Sequence, residues 1–211
     1  LAVYKTEGKD PRQTYYLAKA FFDLKTMEYF DKAIPLILNY LYGEHKSGLP
    51  EERAQACVYM AEIYRHKGDH NNAIRFDMNA LIEQPENPMI FLDLAVSYCA
   101  KRDWDRALFW AKTSTYIPPA KTTLVKNPRD QEGMLHEIIY NACVNKGMVD
   151  EAWAAAFKMR ELAPGDPIVE NCFEFISQLR EQKEVTKIVS GLANYLQKTG
   201  EWHKVKPLLA A

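Results

Sequence analysis

The sequence predicts an all-α protein in which antiparallel helix pairs stack into an α-solenoid of about eleven helices. Residues recur at a fixed step of 34: Ala61 as Ala95, Tyr64 as Tyr98, Ala73 as Ala107, Pro85 as Pro119, with Ala80 returning as the equally small Ser114. A period in this range marks a helix–turn–helix repeat, whose small residues let paired helices approach while large apolar ones fill the gaps. Asp-Pro or Asn-Pro opens four segments, at Asp10-Pro11, Asn87-Pro88, Asn127-Pro128 and Asp166-Pro167. There the Asp or Asn caps orphan N–H groups, and proline at the first helical position gives up a donor that has no helical partner. Strand alternation is absent from the whole sequence.

Residues 1–10 form a linker. The first pair, in "TYYLAKAFFDLKTMEYFDKAIPLI", matches the frame through Leu17, Ala18, Phe21 and Ala33, with a turn three residues longer than the frame predicts. With Asp31 capping its second helix, Pro35 becomes the fourth helical residue, where a missing donor costs little. Pro50 in "GLPEER" opens the next helix without a capping side chain.

In "IYRHKGDHNNAI", His66 and His70 stand four apart around Asp69, as in a metal site. The segment 34 residues on is "CAKRDWDR", so Gly68-Asp69 is the turn between two helices, His66 ending one and His70 starting the next. Zinc needs at least three convergent protein ligands, and the segment is a turn rather than a metal site. "DWD" (Asp103, Trp104, Asp105) fills the same turn as a capping Asp and an aromatic wedge, and Trp202 in "TGEWHKV" matches Trp104. From Pro119 to Pro164 the step is 45, so 11 extra residues enter around "AKTTLVKNPRD" before Gly147, Ala152 and Pro164 restore the frame. Repeats therefore span 11–164 as about four helix pairs, with an insertion near 120–130. Residues 165–211 supply three more helices, "PIVENCFEFISQLREQ", "EVTKIVSGLANYLQKT" and "EWHKVKPLLAA", capping or continuing the solenoid.

Composition narrows function. Lys+Arg 27 against Asp+Glu 28 gives a net charge of -1, which attracts neither nucleic acid nor an anionic membrane. The apolar run "AIPLILNYLYG" falls short of the roughly 18 residues a span needs and is broken by Pro35. Cys57, Cys99, Cys143 and Cys172 are scattered, without C-x-x-C, on apolar helical patterns, as buried reduced thiols of a cytoplasmic protein are. A Gly-rich phosphate loop, a G-x-S-x-G nucleophile and a ligand cluster are all missing, so neither an enzyme nor a cofactor site is expected in this chain. A start at Leu1 and an end at "KPLLAA" lead to the expectation of a fragment of a longer protein. The isolated Tyr4, Lys5, Lys187 and His203 are expected to be surface groups.

The pattern resembles the tetratricopeptide repeat (TPR). One copy carries it as Cys57, Met60, Ala61, Tyr64, Ala73, Ala80 and Pro85; the next as Phe91, Leu94, Ala95, Tyr98, Ala107, Ser114 and Pro119. The second-helix aromatic is displaced to Phe76 in the first, and Ala111 stands there in the second. The resemblance implies a right-handed solenoid with the first helix of each pair on its concave side. Tyr15-Tyr16 before Leu17-Ala18, the insert before Glu51-Glu52 and the "IEQPENP" link also resemble the repeat segments after the catalytic domain of bacterial and phage nucleotide-sugar glycosyltransferases. That narrower likeness implies an accessory substrate-recognition or oligomerisation domain; the alternative is a free-standing adaptor for protein–protein assembly.

Counted from the repeat frame, the inward-facing candidates are Arg12, Tyr15, Lys19 and Phe22, then Gln55, Val58, Glu62 and Arg65. Met89, Leu92, Val96 and Cys99 follow, then Glu137, Asn141 and Asn145. An extended peptide or protein segment would bond its backbone to Asn141 and Asn145 and rest side chains on Leu92 and Val96. The family's clamp for a C-terminal carboxylate uses lysine and asparagine where this sequence has Val58 and Leu92, and Glu62 and Val96, so that ligand is not expected. The insert, with Lys121, Lys126 and Arg129 against Asp130, is too short and mixed for nucleic acid, though it could fold over the groove. The apolar terminal helix is expected to pair with a second copy or an adjacent catalytic domain.

Overall fold

The computed structural model describes residues 10–43, 48–118 and 128–200, with side chains in the last stretch from residue 131 onward. Among the described residues are nine helices and no strand: α1 (Pro11–Asp23), α2 (Met27–Tyr42), α3 (Pro50–His66), α4 (His70–Glu83), α5 (Pro88–Ala100), α6 (Trp104–Ser114), α7 (Pro128–Asn145), α8 (Val149–Leu162) and α9 (Pro167–Thr199). Consecutive helices pack as hairpins, α1 with α2 through α7 with α8, and α9 lies on α8. First helices also touch from pair to pair, α1 on α3, α3 on α5 and α5 on α7. The second helices form no comparable layer, so the first helices make the tighter, inner side of the solenoid.

The caps follow the sequence. Asp10, Asn87 and Asp166 accept from the backbone N–H of Arg12, Met89 and Ile168 at 3.0, 3.1 and 2.8 Å, each beside an N-terminal proline. Pro50 starts α3 behind Leu49, without a capping side chain. Every hairpin turns through one left-handed residue: Lys25, Gly68, Arg102 and Gly147, with φ of 52°, 76°, 61° and 68°. The next N–H reaches back to close the helix end, Asp69 to the Tyr64 carbonyl and Asp103 to that of Tyr98, both at 2.9 Å. His66 and His70 thus belong to different helices, and Asp69 caps α4 through the Asn72 N–H. Among the described residues no three His, Cys, Asp or Glu side chains gather as a metal site.

Three expectations need correction. First, α2 starts at Met27 behind Thr26, so its turn is as short as Gly68-Asp69, and Phe30 rather than Ala33 takes the place of Ala73. Asp31 is not a cap; its carboxylate accepts from Lys67 Nζ at 2.5 Å. Second, Pro35 consequently lies inside α2, leaving the Asp31 carbonyl without its helical donor. Burial of Phe30, Ala33 and Ile37 on the other side of α2 holds the helix through that defect. Third, the two helices expected over 167–199 are one helix of 33 residues. "LREQKEV" contains no turn residue, and Leu, Arg, Glu, Gln and Lys all favour helix.

The segment "EWHKVKPLLAA", Pro119, Asn127, the side chains of "AKTTLVKNPRD", Tyr4, Lys5 and His203 all lie outside the described residues. Lys187 is exposed. Cys57 and Cys143 are buried, whereas Cys99 and Cys172 are only half-buried; all four are free thiols. Burial pushes the Cys57 thiol up to about 12. Among the described residues no helix is long and apolar enough to cross a membrane.

Candidate functional site: the inner face of the first helices

At the α1–α3 end the inner face is closed by aromatic rings. Tyr15 packs on Tyr40 and Tyr59 with centroids 5.2 and 6.3 Å apart, and Phe22 stacks on Tyr59 at 4.3 Å. Tyr15, Phe22 and Val58 are therefore buried in the core, contrary to the expectation that they face a ligand. Desolvation pushes the Tyr15, Tyr40 and Tyr59 phenols above their ordinary value, so they stay neutral.

Charge is matched around this core. Arg12 Nε donates to Glu52 Oε1 at 3.0 Å, and the Tyr40 hydroxyl donates to Glu52 Oε2 at 3.1 Å. The Glu52 carboxylate in turn holds the Arg12 guanidinium above its usual range. Lys19 pairs with Asp23 at 2.6 Å. Lys25 pairs with Glu62 and lies 3.6 Å from the Phe22 ring centroid. Gln55 is half-buried beside them.

Arg65 turns inward instead of facing a ligand. Its Nη1 donates to Ser97 Oγ at 2.8 Å, to Asp77 Oδ2 at 3.2 Å and to the Asp93 carbonyl at 3.4 Å. Ser97 Oγ–H also donates to Asp77 Oδ2, at 2.5 Å, which ties α3, α4 and α5 together. Asp77 is 0% exposed, and Oδ1 has no partner. Burial pushes its carboxyl up, opposed by the Arg65 charge. The repeat period gave no warning of this network. Its signal was an acidic residue inside the apolar register of Ala73, Phe76 and Ala80.

From α5 to α7 the inner face stays open among the described residues. Leu92, also expected to face a ligand, is 0% exposed and belongs to the core. Met89, Val96 and Cys99 are half-buried over Leu92, Ala95, Ala111 and Ile138, and present an apolar strip. Beside it Glu137, Asn141 and Asn145 are exposed. Asn145 Nδ2 donates to the Asn141 carbonyl at 2.8 Å, which leaves the Asn141 side-chain amide for an incoming backbone. His136, half-buried on α7, has its pKa lowered by burial and is neutral at pH 7. A separate cleft of about 180 Å³ lies among α2, α3 and α4, lined by Leu41, Tyr42, Arg53, Cys57, Asn79, Ile82 and Glu83, none of them an inner-face candidate.

Comparison with known proteins agrees with this architecture. No protein-family model matches the sequence, and no curated protein matches it. A solved structure of AMB-1 MamA superposes with a TM-score of 0.55 at 16% identity, covering 90% of this chain and 94% of that one. At that identity the likeness speaks for the fold alone. Among the described residues, four successive helix hairpins followed by α9, an inner layer of first helices and this structural neighbour together establish a TPR-like α-solenoid.

Proposed function

We propose that this chain is a non-catalytic binding domain that takes an extended peptide or protein segment along the α5–α7 inner face. The observation that carries the reading is the strip of Met89, Val96 and Cys99 beside the exposed Glu137, Asn141 and Asn145. Apolar side chains of a partner would lie on the strip, and its backbone would bond the amides. Glu137 adds a preference for a basic residue at that end of the peptide. The α1–α3 end, whose charges are already paired within the chain, contributes only its rim residues Arg12, Lys19, Gln55 and Glu62.

Service to a glycosyltransferase, as an accessory recognition or pairing domain, rests on the resemblance of the first two repeats. A free-standing adaptor would use the same strip. Neither alternative changes the surface to be tested.

That test is a screen of a randomised peptide array, followed by titration of the best binders by fluorescence anisotropy. Asn141→Ala is expected to weaken the best binder roughly tenfold, as the loss of one buried hydrogen bond does. Glu137→Arg is expected to reverse the preference for basic peptides, with the thermal midpoint unchanged in both variants. Selected peptides whose affinity ignores Glu137, Asn141 and Val96 would remove the strip as the site.

A further inference from the structure

The first part of α9 sits on the α7–α8 pair as α5 sits on the α3–α4 pair. A step of 79 (167−88) carries the Asn87-Pro88 cap onto Asp166-Pro167, and the capped N–H groups, those of Met89 and Ile168, correspond. In α5, Ile90 and Ser97 are buried against the preceding pair, Ser97 on Asp77 of α4. Their counterparts Val169 and Ile176 pack into the cluster that α7 and α8 build, Ile176 at 0% exposure. A backbone contact recurs too. The Asp93 carbonyl accepts from Arg65 of α3 at 3.4 Å, and its counterpart, the Cys172 carbonyl, accepts from the Tyr140 hydroxyl of α7 at 3.3 Å.

With that side fixed, helical spacing turns Ile168, Asn171, Phe175 and Gln178 toward the inner side, at the positions of Met89, Leu92, Val96 and Cys99. All four are exposed, Ile168 at 73% and Phe175 at 49%. Rows therefore cross three helices: Val96, Asn141 and Phe175 in one, Met89, Met134 and Ile168 in another, with Glu137 and Asn171 between them. The outer two helices of the three offer apolar side chains, and α7 between them offers a carboxylate and an amide.

We propose that the inner face binds an extended segment laid across α5, α7 and α9, carrying two large apolar side chains with a lysine or arginine between them. One apolar side chain rests on the Met89–Val96 strip, the other on Ile168 and Phe175, and the cation meets Glu137. The proposal rests on the α5–α7 reading and adds a second anchor and the order of the partner's side chains. Charge complementarity selects the middle one: Glu137 is exposed, and no cation pairs with it among the described residues. Length follows from the fold. First helices roughly 8–10 Å apart set the anchors about 16–20 Å from each other, which an extended chain at roughly 3.3 Å per residue covers in about six steps. Alternate side chains of such a chain share one side, so both anchors and the cation can face the protein together.

The probes are fluorescein-labelled peptides of about seven residues, the length set by that span, with Leu at both ends, Lys between them and the other places varied. They are titrated against the 211-residue chain by fluorescence anisotropy. Phe175→Ala should weaken the best of them roughly tenfold, and Phe175→Leu should restore most of the affinity, with the thermal midpoint unchanged in both. Phe109→Ala, which removes an exposed ring on α6, should leave binding as it was. Glu in place of the peptide's Lys should weaken binding roughly tenfold, and Glu137→Arg should recover it. Peptides cut to about four residues should lose their sensitivity to Phe175→Ala and keep that to Asn141→Ala.

A best binder weakened by Asn141→Ala but not by Phe175→Ala overturns the second anchor and leaves the α5–α7 reading in place. Binders indifferent to both substitutions overturn the two together. No binding by any peptide of this pattern overturns the proposal, while the randomised array decides the wider reading separately. A dimer in light scattering that Phe175→Ala takes apart would make a second copy the occupant of α9, and the proposal fails.

Discussion

The two ends of the inner face carry the same kind of helix at the same repeat positions, yet one is sealed and the other open. Between α1 and α3, Tyr15 and Phe22 both stack on Tyr59, so two positions that should meet a ligand meet a core ring instead. Between α5 and α7 the strip is Met89, Val96 and Cys99, at the repeat positions of Arg12, Lys19 and Phe22, and it covers Leu92 and Ile138 without closing over. One repeat position, that of Tyr15, Val58 and Leu92, is buried in all three repeats, whereas at another Phe22 is buried and its counterpart Cys99 only half-buried. Exposure depends on whether the neighbouring first helix brings a ring long enough to reach across.

The largest expected effect breaks that comparison directly. Phe22→Ala removes a 4%-exposed ring from the aromatic stack and should cost about 3–5 kcal/mol in urea unfolding, the usual range for a buried aromatic truncated to alanine. Val96→Ala, on the half-buried strip, should cost about 1 kcal/mol or less and act chiefly on binding. Equal losses from the two would mean that the strip is core and not surface.

Asp77 lies where the two regions join, and its effect is intermediate. Asp77→Ala strips Ser97 and Arg65 of their shared acceptor and should cost about 2 kcal/mol, the scale of an unsatisfied buried donor. Its pH dependence has a definite sign. Because burial raises the carboxyl in the folded state, the unfolded chain loses this proton first as pH rises from the ordinary value of 3.8. In that window the folded state binds more protons, so stability contributed by Asp77 falls as pH rises and is greatest at the acid end. Asp77→Asn removes the titration, and its stability relative to the native chain should climb over the same window. A relative stability that stays flat with pH would show that Arg65 holds Asp77 ionised throughout.

Much of the fold was legible because its determinants are local. The Asn87-Pro88 cap and the Gly68 turn each act within one hairpin, and the 34-residue step carries the same pattern to the next, in agreement with the bounds of α3 to α6. Illegible features depended on competition or distance. Asp31 is as good a capping residue as Thr26, and only the burial of Phe30 decides for a helix that runs through Pro35. The continuity of α9 is the absence of a stop, which leaves no mark in a pattern of apolar residues. The exposure of Glu137, Asn141 and Asn145 was legible, since exposure on α7 needs no partner. The burial of Tyr15, Phe22, Val58 and Leu92 was not, because it follows from how closely separate repeats approach.

The smallest effect compares the turns at the two ends. Lys25 and Arg102 hold the left-handed conformation that Gly68 and Gly147 hold elsewhere, with φ of 52° and 61°. A side chain there costs roughly 1 kcal/mol relative to glycine, so Arg102→Gly, at an exposed turn, should raise stability by about that amount. Lys25→Gly relieves the same backbone strain but gives up the contact with the Phe22 ring and the pairing with Glu62. Its gain should be smaller than that of Arg102→Gly, or reversed. The difference between the two midpoints in denaturant measures how much the sealed end of the inner face depends on a side chain that the open end does without. If both substitutions stabilise equally, Lys25 is a turn residue alone, and the seal rests entirely on the aromatic stack.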